Sequence, residues 1–162
     1  MNRISATLLA ACLLAPGATV AHGDADHGGD AKSTLEYTAA SSGTRNLVAG
    51  PVVIRMLAES SNLGIDQLEV GELNLPAGFG ESDAHAHVSL ELFYVVEGVL
   101  GHEVNGVVHR LEPGMLGFVK PGDTVKHAVL SEGPVKALVV WYPGGEADRL
   151  VEHAGFEVET LR

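Results

Sequence analysis

Residues 85–98 read HAHVSLELFYVVEG, and the fold turns on this stretch. His85, His87 and Glu91 occupy alternate positions at the start of an apolar, β-rich run. Side chains two apart along a strand share a face, so one strand over this stretch turns all three the same way. Two imidazoles and a carboxylate meeting at one point form a ligand set for a divalent first-row metal. The plainer alternative is two surface histidines beside an unrelated glutamate, and His-x-His alone does not separate the two.

The surrounding sequence supplies context. From Pro51 onward the chain reads as all-β, with strand-length apolar runs at 51–57, 67–75, 91–98, 101–104, 107–111, 115–119, 125–130 and 135–142. Turn chemistry separates them: Pro76-Ala77-Gly78, Pro113-Gly114, Pro121-Gly122-Asp123 and Gly133-Pro134. Asn105-Gly106 between two runs is a two-residue hairpin signal. Short strands at this spacing indicate a sandwich or small barrel. Only the end departs, where Glu146 to Ala154 has acids early and Gly155 as a stop, the pattern of a short helix.

The spacing His85-x-His87, three residues, Glu91, six residues, Gly98 resembles the first motif of the cupin superfamily. The resemblance spans residues 47–143 and implies a double-stranded β-helix, or jelly-roll barrel, with a short C-terminal helix. It also implies that His85, His87 and Glu91 bind one divalent transition metal inside the barrel. The family's second motif adds a histidine after a Pro-Gly turn, and His127 is the residue here that matches. This second motif is degenerate: His127 lies five residues after Gly122, where the family has three, and Ser131 stands where an asparagine is common. Three imidazoles and a carboxylate suit Fe, Mn, Ni, Cu or Zn without selecting among them. Four ligands on a six-coordinate ion leave two positions for water, dioxygen or substrate.

The flanks suggest an exported protein. Arg3, the apolar Ile4 to Leu14, the break at Pro16-Gly17 and the small residues Thr19-Val20-Ala21 form a signal peptide over 1–21. Its apolar run is too short to span a bilayer. Leu9-Ala10-Ala11-Cys12 resembles a lipidation box, but the apolar run continues past it, which favours ordinary cleavage and a periplasmic or secreted product. Residues 22–46 read as a polar lead-in whose His22, Asp24, Asp26 and His27 offer weak metal affinity, and 144–162 as a helix and tail. Cys12 is the only cysteine in the 162 residues, so thiolate chemistry and disulfides are excluded from the mature chain. A net charge of −11 argues against nucleic acid or anionic lipid as partner.

Several other residues bear on the site. Phe93, Val95, Phe118 and Trp141 are expected as barrel wall, and His153 as a structural residue of the helix. His102 and His109 face each other across the Asn105-Gly106 turn and read as a strand-surface pair, with a second surface metal site or a substrate contact at the barrel mouth as the alternatives. Leu92, Val96, Ala128 and Leu130 fall on the face opposite the ligands, matching the tendency of small cupins to form homodimers through their sheets. No nucleophile elbow, Walker loop or dinucleotide fingerprint is present. These features lead to an exported metal-binding cupin taking a small-molecule ligand or substrate. Dioxygenase-type catalysis, with Glu91 as ligand and proton acceptor, leads the alternatives; non-redox isomerase or decarboxylase chemistry and non-enzymatic binding follow.

Overall fold

Val135, Ala137, Val139 and Trp141 alternate with half-buried or exposed residues along one strand, and all four side chains are enclosed. This period of two gives the strand one face against a core, and it recurs along the chain. The computed structural model describes residues 40–161. The expected signal segment and most of the lead-in, including its His22, Asp24, Asp26 and His27, lie outside the described residues.

The elements in chain order are β1 (Arg45–Ala49), β2 (Val52–Ala58), α1 (Ser60–Leu63), β3 (Glu69–Leu75), β4 (His85–Ala86), β5 (Leu90–Glu97) and β6 (Leu100–Val104). There follow β7 (Val107–Leu111), β8 (Leu116–Val119), β9 (Thr124–Val129), β10 (Val135–Tyr142), α2 (Glu146–His153) and β11 (Glu157–Thr160). They form two antiparallel sheets. One has seven strands in the order β11-β1-β2-β3-β10-β5-β8, the other four in the order β4-β9-β6-β7. Leu47, Ile54, Met56, Leu73, Val95, Leu100, Val139 and Trp141 belong to a core drawn from both sheets. Among the described residues no helix is long and apolar enough to cross a membrane.

The turn chemistry has its expected form. Asn105 adopts φ 50° in the β6–β7 hairpin, and Val104 pairs with Val107 across it. Gly98, the closing glycine of the motif, has φ 76°, and a Cβ there would lie 2.2 Å from the Pro134 carbonyl oxygen. Only glycine allows the β5–β6 turn to pass so close to the β9–β10 connection.

Three expectations are corrected. Residues 85–98 are not one strand: β4 ends at Ala86 in the small sheet, and β5 starts at Leu90 in the large one. The chain crosses between sheets at His87–Ser89, so strand parity does not align the three donors. Phe118 is no wall residue; it is 56% exposed on the outer face of β8. His102 is no surface residue either. It is enclosed at 2% exposure, while its hairpin partner His109 is exposed at the sheet edge.

Candidate metal centre

The four expected donors reach the barrel interior from different elements. His85 sits on the two-residue β4, paired with β9 through Val125. Its Nδ1 lies 2.9 Å from the Asp83 carbonyl and donates to it, which leaves Nε2 as the lone-pair nitrogen. His87 lies in the crossing between sheets and is buried. Glu91 on β5 pairs in register with Trp141 on β10, whose Nε1–H donates to Glu91 Oε1 over 2.8 Å. His127 is on β9. Ser82 clamps that strand, receiving the His127 amide on its hydroxyl at 3.0 Å and donating its own amide to the His127 carbonyl at 2.8 Å.

His87 and Glu91 are brought together, with Nε2 to Oε1 at 3.3 Å. The imidazoles form a row: His87 to His85, His85 to His127 and His127 to His102, with ring centres 4.9, 5.7 and 5.4 Å apart. Among the described residues no three donors close on one point at coordination distance. The donor set nevertheless fits a cation. His87 Nε2, Glu91 Oε2 and His127 Nε2 are all enclosed with no hydrogen-bond partner. Orphaned lone pairs on two imidazoles and a carboxylate are costly to bury, and a divalent ion satisfies them.

Ionisation follows the same enclosure. Burial raises the Glu91 carboxyl to about 7, against the opposing pull of His87 and the Trp141 hydrogen bond. Burial and the neighbouring imidazole of His102 hold His127 well below the ordinary histidine value. Burial also lowers His85. At His87 burial acts downward too, but the bond to Glu146 and the Glu91 charge raise it overall.

Glu146 was not legible as a site residue. It opens α2, is buried, and its Oε1 accepts from His87 Nδ1 over 3.0 Å across 59 residues of sequence. Accepting that proton fixes the tautomer in which Nε2 faces the other donors, the arrangement by which carboxylates orient metal-binding histidines. The helix is held in place by Glu69 at the start of β3, whose carboxylate receives the Ala147 amide at 2.9 Å. An acid at the first turn of α2 was visible in the sequence, but its inward aim depends on this docking.

A cavity of about 650 Å³ opens beside the donors. Leu73, Leu75, Phe79, Phe93, Val139 and Trp141 make much of its wall; Glu81, Asp83 and His153 add polar atoms. His85, His87, Glu91 and His127 all contribute to the lining, and among the described residues no lysine or arginine does.

Two antiparallel sheets enclosing a histidine-rich pocket define a β-barrel of the small-ligand kind. Residues 71–141 match the family described as Cupin domain, and the chain carries a cupin domain over that stretch. Among solved structures it is similar to an RmlC-like cupin from Shewanella frigidimarina, with 22% identity and a TM-score of 0.55 over 70% of this chain and 95% of that one. It is similar also to a protein described as a predicted oxalate decarboxylase from Thermotoga maritima, with 16% identity and a TM-score of 0.55 over 67% and 99%. KdgF from Halomonas sp. shares 18% identity with a TM-score of 0.52 over 59% and 82%. At these identities the likeness is one of fold. No curated protein matches the chain in sequence.

Proposed function

We propose that this protein is an exported metal-binding cupin that acts as a dioxygenase-type metalloenzyme on a small organic molecule. The observation that carries this reading is the set of enclosed, unpartnered donor atoms beside a largely apolar cavity. His85, His87, Glu91 and His127 would hold one divalent ion of Fe, Mn, Ni, Cu or Zn. When bound, a redox-active ion supplies Lewis acidity and the electron-transfer chemistry that dioxygen requires. The protein's part is positional. Trp141 orients Glu91, Glu146 orients His87, and Phe93 and Trp141 present apolar surface that excludes water from the reacting end. Glu91 would be the carboxylate ligand and the group placed to accept a proton from a bound molecule. Its rise to about 7 belongs to the metal-free carboxyl, and a bound cation would hold it ionised. Away from the ion the described cavity wall has no lysine or arginine, so the part of the ligand it encloses is expected to be uncharged and mostly apolar.

Elemental mass spectrometry on untagged protein from its export compartment tests the centre. About one ion per chain is expected in wild type, lost in His127→Ala. An oxygen-consumption screen with neutral small organics then separates catalysis from binding. Stoichiometric metal with no oxygen uptake would leave a binding protein or non-redox isomerase or decarboxylase chemistry, and no metal would remove the metalloenzyme reading.

The outer face of the large sheet also predicts a homodimer. Tyr94, Val96, Leu116 and Phe118 are each 45–60% exposed at its β5–β8 edge, and Tyr94 pairs in register with Leu116. Contiguous apolar surface of this kind marks an interface, and a second copy presents the same face. Phe118→Glu is expected to convert dimer to monomer in light scattering after size exclusion. A monomeric wild type would sink the idea.

A further inference from the structure

His102 lies mid-strand in β6, 2% exposed, with neither ring nitrogen hydrogen-bonded. The Phe118 carbonyl is turned towards it without reaching hydrogen-bond geometry. An enclosed polar group with no partner is costly to leave so. Leucine or valine at this inward position would avoid that cost, so the ring calls for a partner.

Its surroundings restrict what that partner is. His127 is its register partner on β9, with ring centres 5.4 Å apart and planes tilted by 31°. Phe93 stands 5.7 Å from His102 and 4.6 Å from His127, walling both rings. On the remaining side Gly117 leaves room for the imidazole, since a Cβ there would come within 3.2 Å of His102 Nε2. Among the described residues no carboxylate or hydroxyl reaches either ring nitrogen. An ion about 2.1 Å from a nitrogen of each ring, at a near-tetrahedral angle, sets ring centres roughly 5 Å apart. The observed spacing matches.

We propose that His102 is a direct ligand, so that the centre has four imidazoles, with His102 and His127 sharing the ion from neighbouring strands of the small sheet. The inference rests on the metal-centre reading above. It extends the donor row inward, past the cavity wall, because His127 lines the cavity and His102 does not. The ion class is one that favours nitrogen, such as Cu²⁺, Zn²⁺ or Ni²⁺, over one that favours oxygen.

The test uses the full chain, stripped by chelator, as wild type, His102→Leu, His102→Phe and His109→Leu, each checked for folding by circular dichroism. Cu²⁺-loaded samples are examined by pulsed electron paramagnetic resonance to count coordinated imidazoles, and Zn²⁺ affinity is measured by competition. Both His102 variants are expected to lose one imidazole from the spectrum and more than about 100-fold in affinity, beyond the range of residues that only support a ligand. His109→Leu is expected to change neither. An unchanged imidazole count with affinity within about tenfold would overturn the proposal and identify a ring satisfied by enclosed water. Wild type that takes up no metal would remove both this proposal and the metal-centre reading; metal binding indifferent to His102 would remove this one alone.

Discussion

His87→Ala is expected to abolish stoichiometric metal binding, whereas Glu146→Gln weakens it by about 10- to 100-fold. The two effects differ because the residues act at different distances from the ion. Among the described residues His87 offers the only enclosed Nε2 within 3.3 Å of Glu91, so its removal takes a ligand from the centre and leaves a buried carboxylate without its nearest counter-charge. Glu146 touches only the far side of the ring, accepting from Nδ1 at 3.0 Å. Glutamine keeps the shape and an acceptor oxygen but loses the charge, and its amide can present the wrong end to His87. The ring then loses its fixed tautomer and part of its basicity. Isothermal titration with Zn²⁺ on chelator-treated protein measures both. Equal losses in the two variants would mean that Glu146 is a ligand, and no loss in Glu146→Gln would mean that the α2 contact only anchors the helix.

Glu91→Gln is expected to stabilise the metal-free protein at pH 8 by about 3 kcal/mol more than at pH 4.5. Burial, the largest influence on this carboxyl, raises it from an ordinary 4.5 to about 7 in the folded state. The fold therefore favours the protonated form. That contribution is fully present below about 4.5 and is lost as the pH rises through about 7, because the unfolded chain releases its proton first. Glutamine stays neutral throughout and can still accept the Trp141 N–H, so its difference from wild type grows across this window. The pH dependence of the other histidines is common to both proteins and cancels; His87, which the Glu91 charge raises, shifts with the substitution, so the same pair is also compared in a His87→Ala background. Urea unfolding of the two proteins at pH 4.5, 6 and 8 gives the answer. A difference that does not change with pH would show that Glu91 is not held protonated by its surroundings.

Both predictions depend on residues that differ in how readable they were. The strands Val107–Leu111 and Val135–Tyr142 coincide with their apolar runs, and the Asn105-Gly106 turn occurs where its chemistry requires. Such features are local: period-two burial and left-handed turn residues act over a few positions, and a linear sequence carries them directly. The terminal strands Arg45–Ala49 and Glu157–Thr160 were invisible, because they stand mainly by pairing with each other and with β2. The four-residue span of β11, exposed at every position, has no apolar pattern to read.

The candidate site divides in the same way. His85, His87, Glu91 and His127 were legible through spacing and family resemblance, and all four line one cavity. Their route there was not legible, since the motif breaks between two sheets instead of running as one strand. The enclosure of His102 and the inward aim of Glu146 were decided by tertiary structure alone. His102 is enclosed because β9 and Gly117 of β8 close over one end of a hairpin whose other strand stays at the edge. Glu146 reaches His87 because Glu69, far away in sequence, receives the first turn of α2. Sequence determines strand periodicity, turns and the types of donor available, because these depend on near neighbours. Which donors lose water and face one another depends on contacts between distant segments, and only the packed barrel decides that.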